Sequence, residues 1–140
     1  MLLLDTNVAS ELRGRRHSDH ILDWLDRWNI HDVFLSVITV AEIRYGIALV
    51  VDEQRRLLLR ETYRRLEDDF ANRILDFDRH TAAIYGDISA RRQKAGRRME
   101  TKDAMIAAIC LHHGATLATR NVKDFEGLDL KLVNPFEGAQ

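Results

Sequence analysis

The 140-residue sequence has little of several features that mark specialised classes of protein. It contains one cysteine, Cys110, which excludes an intrachain disulfide and a cysteine-rich zinc site. Its single proline and seven glycines are scattered, so there is no Pro/Gly/Ser-rich linker and no internal repeat. These absences, together with a common domain length, predict a single domain over residues 1–140 in a reducing, cytoplasmic compartment.

Long hydrophobic runs are also missing. Residues 1–4 are apolar, but Asp5 interrupts them before they reach the length of a secretory signal. The longest apolar run covers residues 104–111, whereas a membrane-spanning helix needs about 20 such residues. We therefore expect no targeting segment and no membrane association.

The sequence has no excess of charge of either sign, with 21 basic and 22 acidic residues and a net charge of -1. Proteins that coat nucleic acid through bulk positive charge are usually basic overall, so the balance argues against that class. The overall charge balance is still compatible with a local basic patch. Residues 91–102 contain six basic residues and one acidic residue.

Short apolar runs alternate with stretches of helical periodicity. Helices are predicted over residues 20–30, 53–71, 80–95 and 103–113, the last of them apolar on nearly every side. Strands are predicted at residues 1–4, 33–37, 74–77, 115–118 and 130–133. This alternation predicts an α/β sandwich with a short, largely parallel central sheet flanked by helices. In such sheets ligands bind outside the carboxyl ends of the strands.

Three acidic residues stand where the chain should reach that edge. Asp5 follows the first strand, Glu42 follows the second, and Asp103 opens the apolar helix. Each has a local alternative: Asp5 is a good helix cap, and an acid at Asp103 is favoured by the helix dipole. Thr39 and Glu42 have the spacing of a capping box, in which the Glu42 carboxylate would bind a backbone amide.

A fourth polar segment, residues 119–125, leaves the predicted strand at 115–118, and Asn121 or Asp124 could join the acids. The alternative for this segment is a capped turn before a short helix. Carboxylates that converge at one edge repel one another unless a cation neutralises them, and hard oxygen ligands favour Mg²⁺ or Mn²⁺. Such a site activates water and stabilises charge on a phosphoryl group, which predicts phosphoester hydrolysis or phosphotransfer.

The chain resembles the PIN-domain ribonuclease toxins of the VapC type, most closely the FitB-like branch. The resemblance runs in order along nearly the whole chain, through residues 3–8, 35–42, 83–85, 103–108, 118–125 and 134–136. It implies an α/β fold with an acidic pocket that holds Mg²⁺ or Mn²⁺ and hydrolyses RNA phosphodiesters with a metal-activated water. A catalytically inactive PIN-like scaffold that binds RNA or a partner is the alternative.

The resemblance also assigns roles to individual residues. Asp5, Glu42 and Asp103 fall on the family's principal acids, as catalytic residues and metal ligands. Many relatives carry a fourth acid where this chain has Asn121, which leaves open whether Asn121 or Asp124 contributes and whether one metal or two are held. Thr6 and Thr119 are similar to residues that orient the ligands.

The resemblance further implies partners. These are an RNA substrate, a cognate DNA-binding antitoxin that covers the acidic groove, operator DNA reached only through that antitoxin, and a second copy of the chain in a homodimer. Residues 45–51 are apolar over more than one face and could serve the dimer or the antitoxin, with a helix packed on both sides as the alternative.

The basic segment runs directly into Asp103. We therefore predict that basic side chains of this segment contact the RNA backbone, with a solvated helix end and loop as the alternative. The predicted contact residues are Arg91, Lys94, Arg97 and Arg98.

Overall fold

The computed structural model describes residues 1–12 and 19–137. Five parallel strands form one sheet in the order β3-β2-β1-β4-β5. The strands are β1 Leu2–Leu4, β2 Val33–Ser36, β3 Ile74–Leu75, β4 Thr116–Ala118 and β5 Lys131–Val133. The five predicted strands and the α/β class are confirmed, because each short apolar run became a strand of this sheet.

Helices connect the strands, as a parallel sheet requires. They are α1 Thr6–Ala9, α2 Asp19–Leu25, α3 Val37–Ala48, α4 Glu53–Asp69, α5 Arg79–Lys94 and α6 Thr101–His113. Short 3-10 turns lie at Ser10–Leu12, Ile30–Asp32 and Val122–Phe125. Within the described ranges, no helix is both long enough and apolar enough to cross a membrane.

The central strand β1 is buried on both faces, which explains its continuous apolar run. Leu2 and Leu4 pack into one core cluster with Tyr63 of α4. Leu3 points to the opposite face and packs with Ile106 of α6 in a second cluster. The sheet is therefore covered on both sides, and its carboxyl edge is left for polar residues.

Two glycines follow the C-terminal ends of α5 and α6. Gly96 follows α5 with φ +77°, and the amide of Arg97 donates to the carbonyl of Arg92 at 2.9 Å. Gly114 follows α6 with φ +62°, and Ala115 bonds back to Cys110 in the same way. Glycine adopts the left-handed conformation with little strain, so both residues suit the C-terminal end of a helix.

Candidate functional site

The acid-bearing segments meet at the carboxyl edge of the sheet. Asp5 follows β1 directly, and its amide donates to the carbonyl of Ala118 at the end of β4 at 2.9 Å. Glu42 lies on α3, which starts immediately after β2, and Asp103 lies in the first turn of α6. Parallel strands bring these positions to one side of the domain.

Asp5 is buried, and its two carboxylate oxygens accept hydrogen bonds from different parts of the chain. Oδ1 accepts from the amide of Thr6 at 2.8 Å, which caps α1. Oδ2 accepts from Oγ1 of Thr119 at 2.7 Å and from Nδ2 of Asn7 at 3.3 Å. Burial raises the pKa of Asp5, and the charge of Glu42 adds to that shift, while these hydrogen bonds oppose it. The capping explanation is thus correct, and it leaves Asp5 at the site's edge.

Glu42 is not part of a capping box, so that alternative is wrong. Ser36, at the end of β2, caps α3 by accepting from the amide of Thr39 at 3.2 Å. The helix therefore begins at Val37, earlier than the Thr39 spacing implied, and Glu42 lies inside it. Its Oε1 accepts from Oγ1 of Thr6 at 2.7 Å, which leaves the carboxylate facing the site.

Asp103 is the electrostatic centre of the cluster. Its pKa is raised to about 6, first by burial and then by the negative charges of Asp5, Glu100, Asp124 and Glu42. Four carboxylates thus lie within electrostatic reach of this one side chain. Such repulsion is what a bound cation would relieve.

The fourth segment contributes through both its backbone and its charge. Thr119 is fully buried, and its Oγ1 accepts from the amide of Asn121 at 3.0 Å while donating to Asp5. The Asn121 and Asp124 side chains are both exposed, and Asp124 is the one whose charge reaches Asp103. Thr6 and Thr119 each hold one carboxylate, which agrees with an orienting role.

Sequence reasoning missed two residues of this edge. Glu100 precedes α6, makes no capping bond with its side chain, and raises the pKa of Asp103. The amino group of Lys102 lies 4.0 Å from Oε2 of Glu42. Both residues had been counted only in the charge of the basic segment, although their place beside Asp103 in sequence was the available signal.

The donor set suits a hard divalent cation. All of its charged members are carboxylates, and their mutual repulsion contributes to the raised pKa of Asp103. Over residues 1–12 and 19–137, no three His, Cys, Asp or Glu side chains lie close enough together to hold a metal ion. Thr6 and Thr119 hold Glu42 and Asp5 through hydrogen bonds of their own.

The basic segment divides into exposed and structural residues. Arg91, Lys94 and Arg98 are exposed. Arg97 is partly committed, because its Nη2 donates to the carbonyl of Lys123 at 3.2 Å. Arg92 is buried and belongs to the fold.

The apolar stretch at 45–51 is not a helix packed on both sides, so that alternative is wrong. Ile47 is buried against the core, whereas Tyr45 and Leu49 face outward and Val51 is 93% exposed. Leu57 and Leu58 of α4 are exposed as well. Scattered exposed apolar residues are ordinary, but five large ones on α3, the loop that follows it and α4 are typical of an interaction surface.

The fold and the acidic edge define a parallel α/β domain with a carboxylate cluster at the ends of its strands. The chain belongs to the PIN-domain family, whose model matches residues 2–129.

The chain is similar to three characterised relatives over nearly its whole length. It is 46% identical to plasmid stability protein StbB of Pseudomonas syringae pv. tomato, covering 98% of this chain and 99% of the relative. Toxin FitB of Neisseria gonorrhoeae is 40% identical, covering 97% and 99%. VapC ribonuclease Y4jK of Sinorhizobium fredii is 37% identical, covering 99% and 100%.

Two solved structures have the same fold as this chain. The crystal structure of FitAcB from Neisseria gonorrhoeae matches with a TM-score of 0.91 at 38% identity, covering 99% of this chain and 100% of that one. A structure of FitAB bound to the IR36 DNA fragment matches with a TM-score of 0.89 at 37% identity, covering 100% and 99%. The PIN-like fold expected from the sequence is therefore confirmed.

Proposed function

We propose that this protein is the toxin of a type II toxin–antitoxin system and acts as a divalent-metal-dependent endoribonuclease. The observation that carries the proposal is the convergence of Asp5, Glu42 and Asp103 at one edge of a PIN domain. The names of two relatives, a toxin and a VapC ribonuclease, support the same activity. No contact in the described residues favours the inactive scaffold over the enzyme.

Asp5 and Asp103 would hold the cation, with Glu42 binding it directly or through water and Asp124 or Asn121 completing the set. Bound Mg²⁺ or Mn²⁺ supplies positive charge for the phosphoryl oxygens and a more acidic water. Oε1 of Glu42 accepts from Thr6, and Oε2, which lies 4.0 Å from the amino group of Lys102, would orient the attacking water. Thr119 fixes Asp5 from the other side of the site.

A mixed RNA pool tests this function directly. We expect cleavage in Mg²⁺ or Mn²⁺, loss of cleavage in EDTA, and recovery when the metal is restored in excess, because the carboxylates need a cation to act together. The measurement is gel analysis of the RNA ends, with Asp5→Asn as the inactive control. RNA that stays intact in both Mg²⁺ and Mn²⁺ would favour the catalytically inactive scaffold instead.

The partners follow from the same proposal. A cognate antitoxin would cover the acidic groove and bring the complex to operator DNA, and FitAB, a structural neighbour, is bound to a DNA fragment. The exposed apolar residues of α3, of the loop after it and of α4 would contact the antitoxin or a second copy in a homodimer. The cytoplasm is the compartment that offers both the RNA substrate and a reducing environment for Cys110.

The exposed basic residues beside Asp103 would contact the RNA backbone. Reversing Arg91, Lys94 and Arg98 to glutamate together is expected to weaken RNA binding and to flatten its dependence on salt, because each lost phosphate contact removes a released counterion. Filter binding with an Asp103→Asn background, across a range of salt, measures both quantities. The charge reversal of Arg55, Arg60 and Arg65 on α4 serves as a matched control. An unchanged salt slope in the first variant would show that this helix end is only solvated.

A further inference from the structure

Arg92 is a buried guanidinium in the last turn of α5, with 7% of its surface exposed. Its Nε donates to the carbonyl of Arg97 at 2.9 Å. Its Nη1 donates to the carbonyls of Asp124 at 3.2 Å and Glu126 at 3.0 Å. Among the ion pairs of the described residues, none involves Arg92, so its hydrogen-bond partners are main-chain oxygens.

A buried charge of this kind is not explained by stability alone. Removing a guanidinium from water is costly, and carbonyl hydrogen bonds offset that cost only in part. The feature that distinguishes Arg92 is therefore what it connects.

Arg92 joins the segments that flank the site. Its backbone carbonyl accepts from the amide of Arg97 while its side chain donates to the Arg97 carbonyl, which fixes the turn that leads into α6 and Asp103. The other two bonds reach the segment that carries Asp124.

That second segment has few bonds of its own. Its 3-10 turn is four residues long, and the amide of Asp124 donates to the carbonyl of Asn121 at 3.0 Å. Phe125 anchors it to the core by burial in the cluster that contains residues of α6, and Arg92 adds two hydrogen bonds to its main chain. Arg97 adds one bond from an exposed side chain, to the carbonyl of Lys123.

We propose that Arg92 is a positioning residue of the carboxylate site, which holds residues 121–126 against the start of α6 so that Asp124 serves as the fourth acid. The inference rests on the proposed function and deepens it, since it assigns the fourth position to Asp124 rather than Asn121. Arg92 bonds to the main-chain carbonyl of Asp124 itself at 3.2 Å, so it fixes the residue that carries this carboxylate. Arg92 itself touches neither metal nor RNA.

A double-mutant cycle on Mn²⁺ binding tests the proposal without relying on cleavage. The full chain is titrated with Mn²⁺ alone by calorimetry as wild type, Arg92→Met, Asp124→Asn and the double variant, with folding checked by circular dichroism. Each single change is expected to weaken binding about 10-fold, as loss of supporting residues around a metal does. The double variant is expected to be no weaker than either single variant, because both changes remove the same contribution.

The controls separate the possible outcomes. Arg79→Met, an exposed arginine on the first turn of α5, is expected to bind Mn²⁺ as the wild type does. Losses that multiply to about 100-fold in the double variant, or Arg92→Met binding as tightly as wild type, would overturn the positioning role. Should Arg92→Met fail to fold, the same cycle with Arg92→Lys, which keeps the charge, decides the question in the same way. If Asp103→Asn binds Mn²⁺ normally, the proposed function itself fails.

Discussion

Replacing Asp103 with asparagine is expected to reduce RNA cleavage at least about 100-fold while making the metal-free protein more stable at neutral pH. Cleavage falls because a charged ligand and electrostatic support are lost at the centre of the site. Stability rises because the asparagine cannot ionise beside Asp5, Glu100, Asp124 and Glu42.

The direction of the pKa shift of Asp103 determines whether the variant is more or less stable than the wild type. The pKa of Asp103 rises from 3.8 to about 6 on folding, so its contribution to stability is complete below pH 3.8 and is lost as pH rises through 6. At pH 7 the ionised carboxylate therefore opposes folding. Because the side chain is only partly buried, we expect Asp103→Asn to add about 1–2 kcal/mol to the free energy of unfolding there.

Urea unfolding at pH 4 and pH 7, in EDTA, measures this gain. The difference between variant and wild type should be small at pH 4 and clear at pH 7. Asp87→Asn, an exposed acid on α5, is the matched control and should change neither stability nor cleavage. Full cleavage by Asp103→Asn, or equal stabilisation at both pH values, would contradict the expectation.

Replacing Leu3 with alanine is expected to cost about 3–5 kcal/mol of unfolding free energy. Leu3 is fully buried on the central strand, where the sheet and α6 leave little freedom to collapse around the cavity. The matched control is Leu132→Ala on the edge strand β5, which packs on the same cluster but is only half-buried. We expect the control to cost about half as much, because less apolar area is involved.

Denaturant titrations of both variants measure the difference. A larger loss for Leu132 than for Leu3 would place the structural centre of the domain elsewhere than β1. Neither variant changes a carboxylate of the site. Total RNA cleavage should therefore fall in proportion to the fraction of each variant that is folded.

The strands were predictable because a parallel sheet covered on both faces favours short, largely apolar strands, and residues 1–4 and 115–118 have that composition. The positions of Asp5, after the apolar run at residues 1–4, and of Asp103, before the apolar run at residues 104–111, were equally predictable. The start of α3 was not, because Ser36 and Thr39 are both good caps and only the end of β2 decides between them.

Arginines 91 and 92 look alike in sequence, yet one is exposed and the other is buried. The difference depends on which carbonyls the turn after Gly96 and the segment at 121–126 bring within reach. Likewise, Val51 and Ile47 share an apolar stretch, and the packing of α3 on the core determines which of them is covered. Such outcomes depend on contacts distant in sequence, which local patterns do not encode.

By itself, the sequence determined the α/β class, the sheet's apolar strands and the acids that follow them, because periodicity and strand ends are local properties. Tertiary structure alone decided that Thr6 and Thr119 hold Glu42 and Asp5, that Glu100 and Asp124 lie near enough to raise the pKa of Asp103, and that Arg92 is buried. The physical reason is that hydrogen bonds and charge repulsion depend on distances of a few ångströms between segments as far apart as residues 5 and 119.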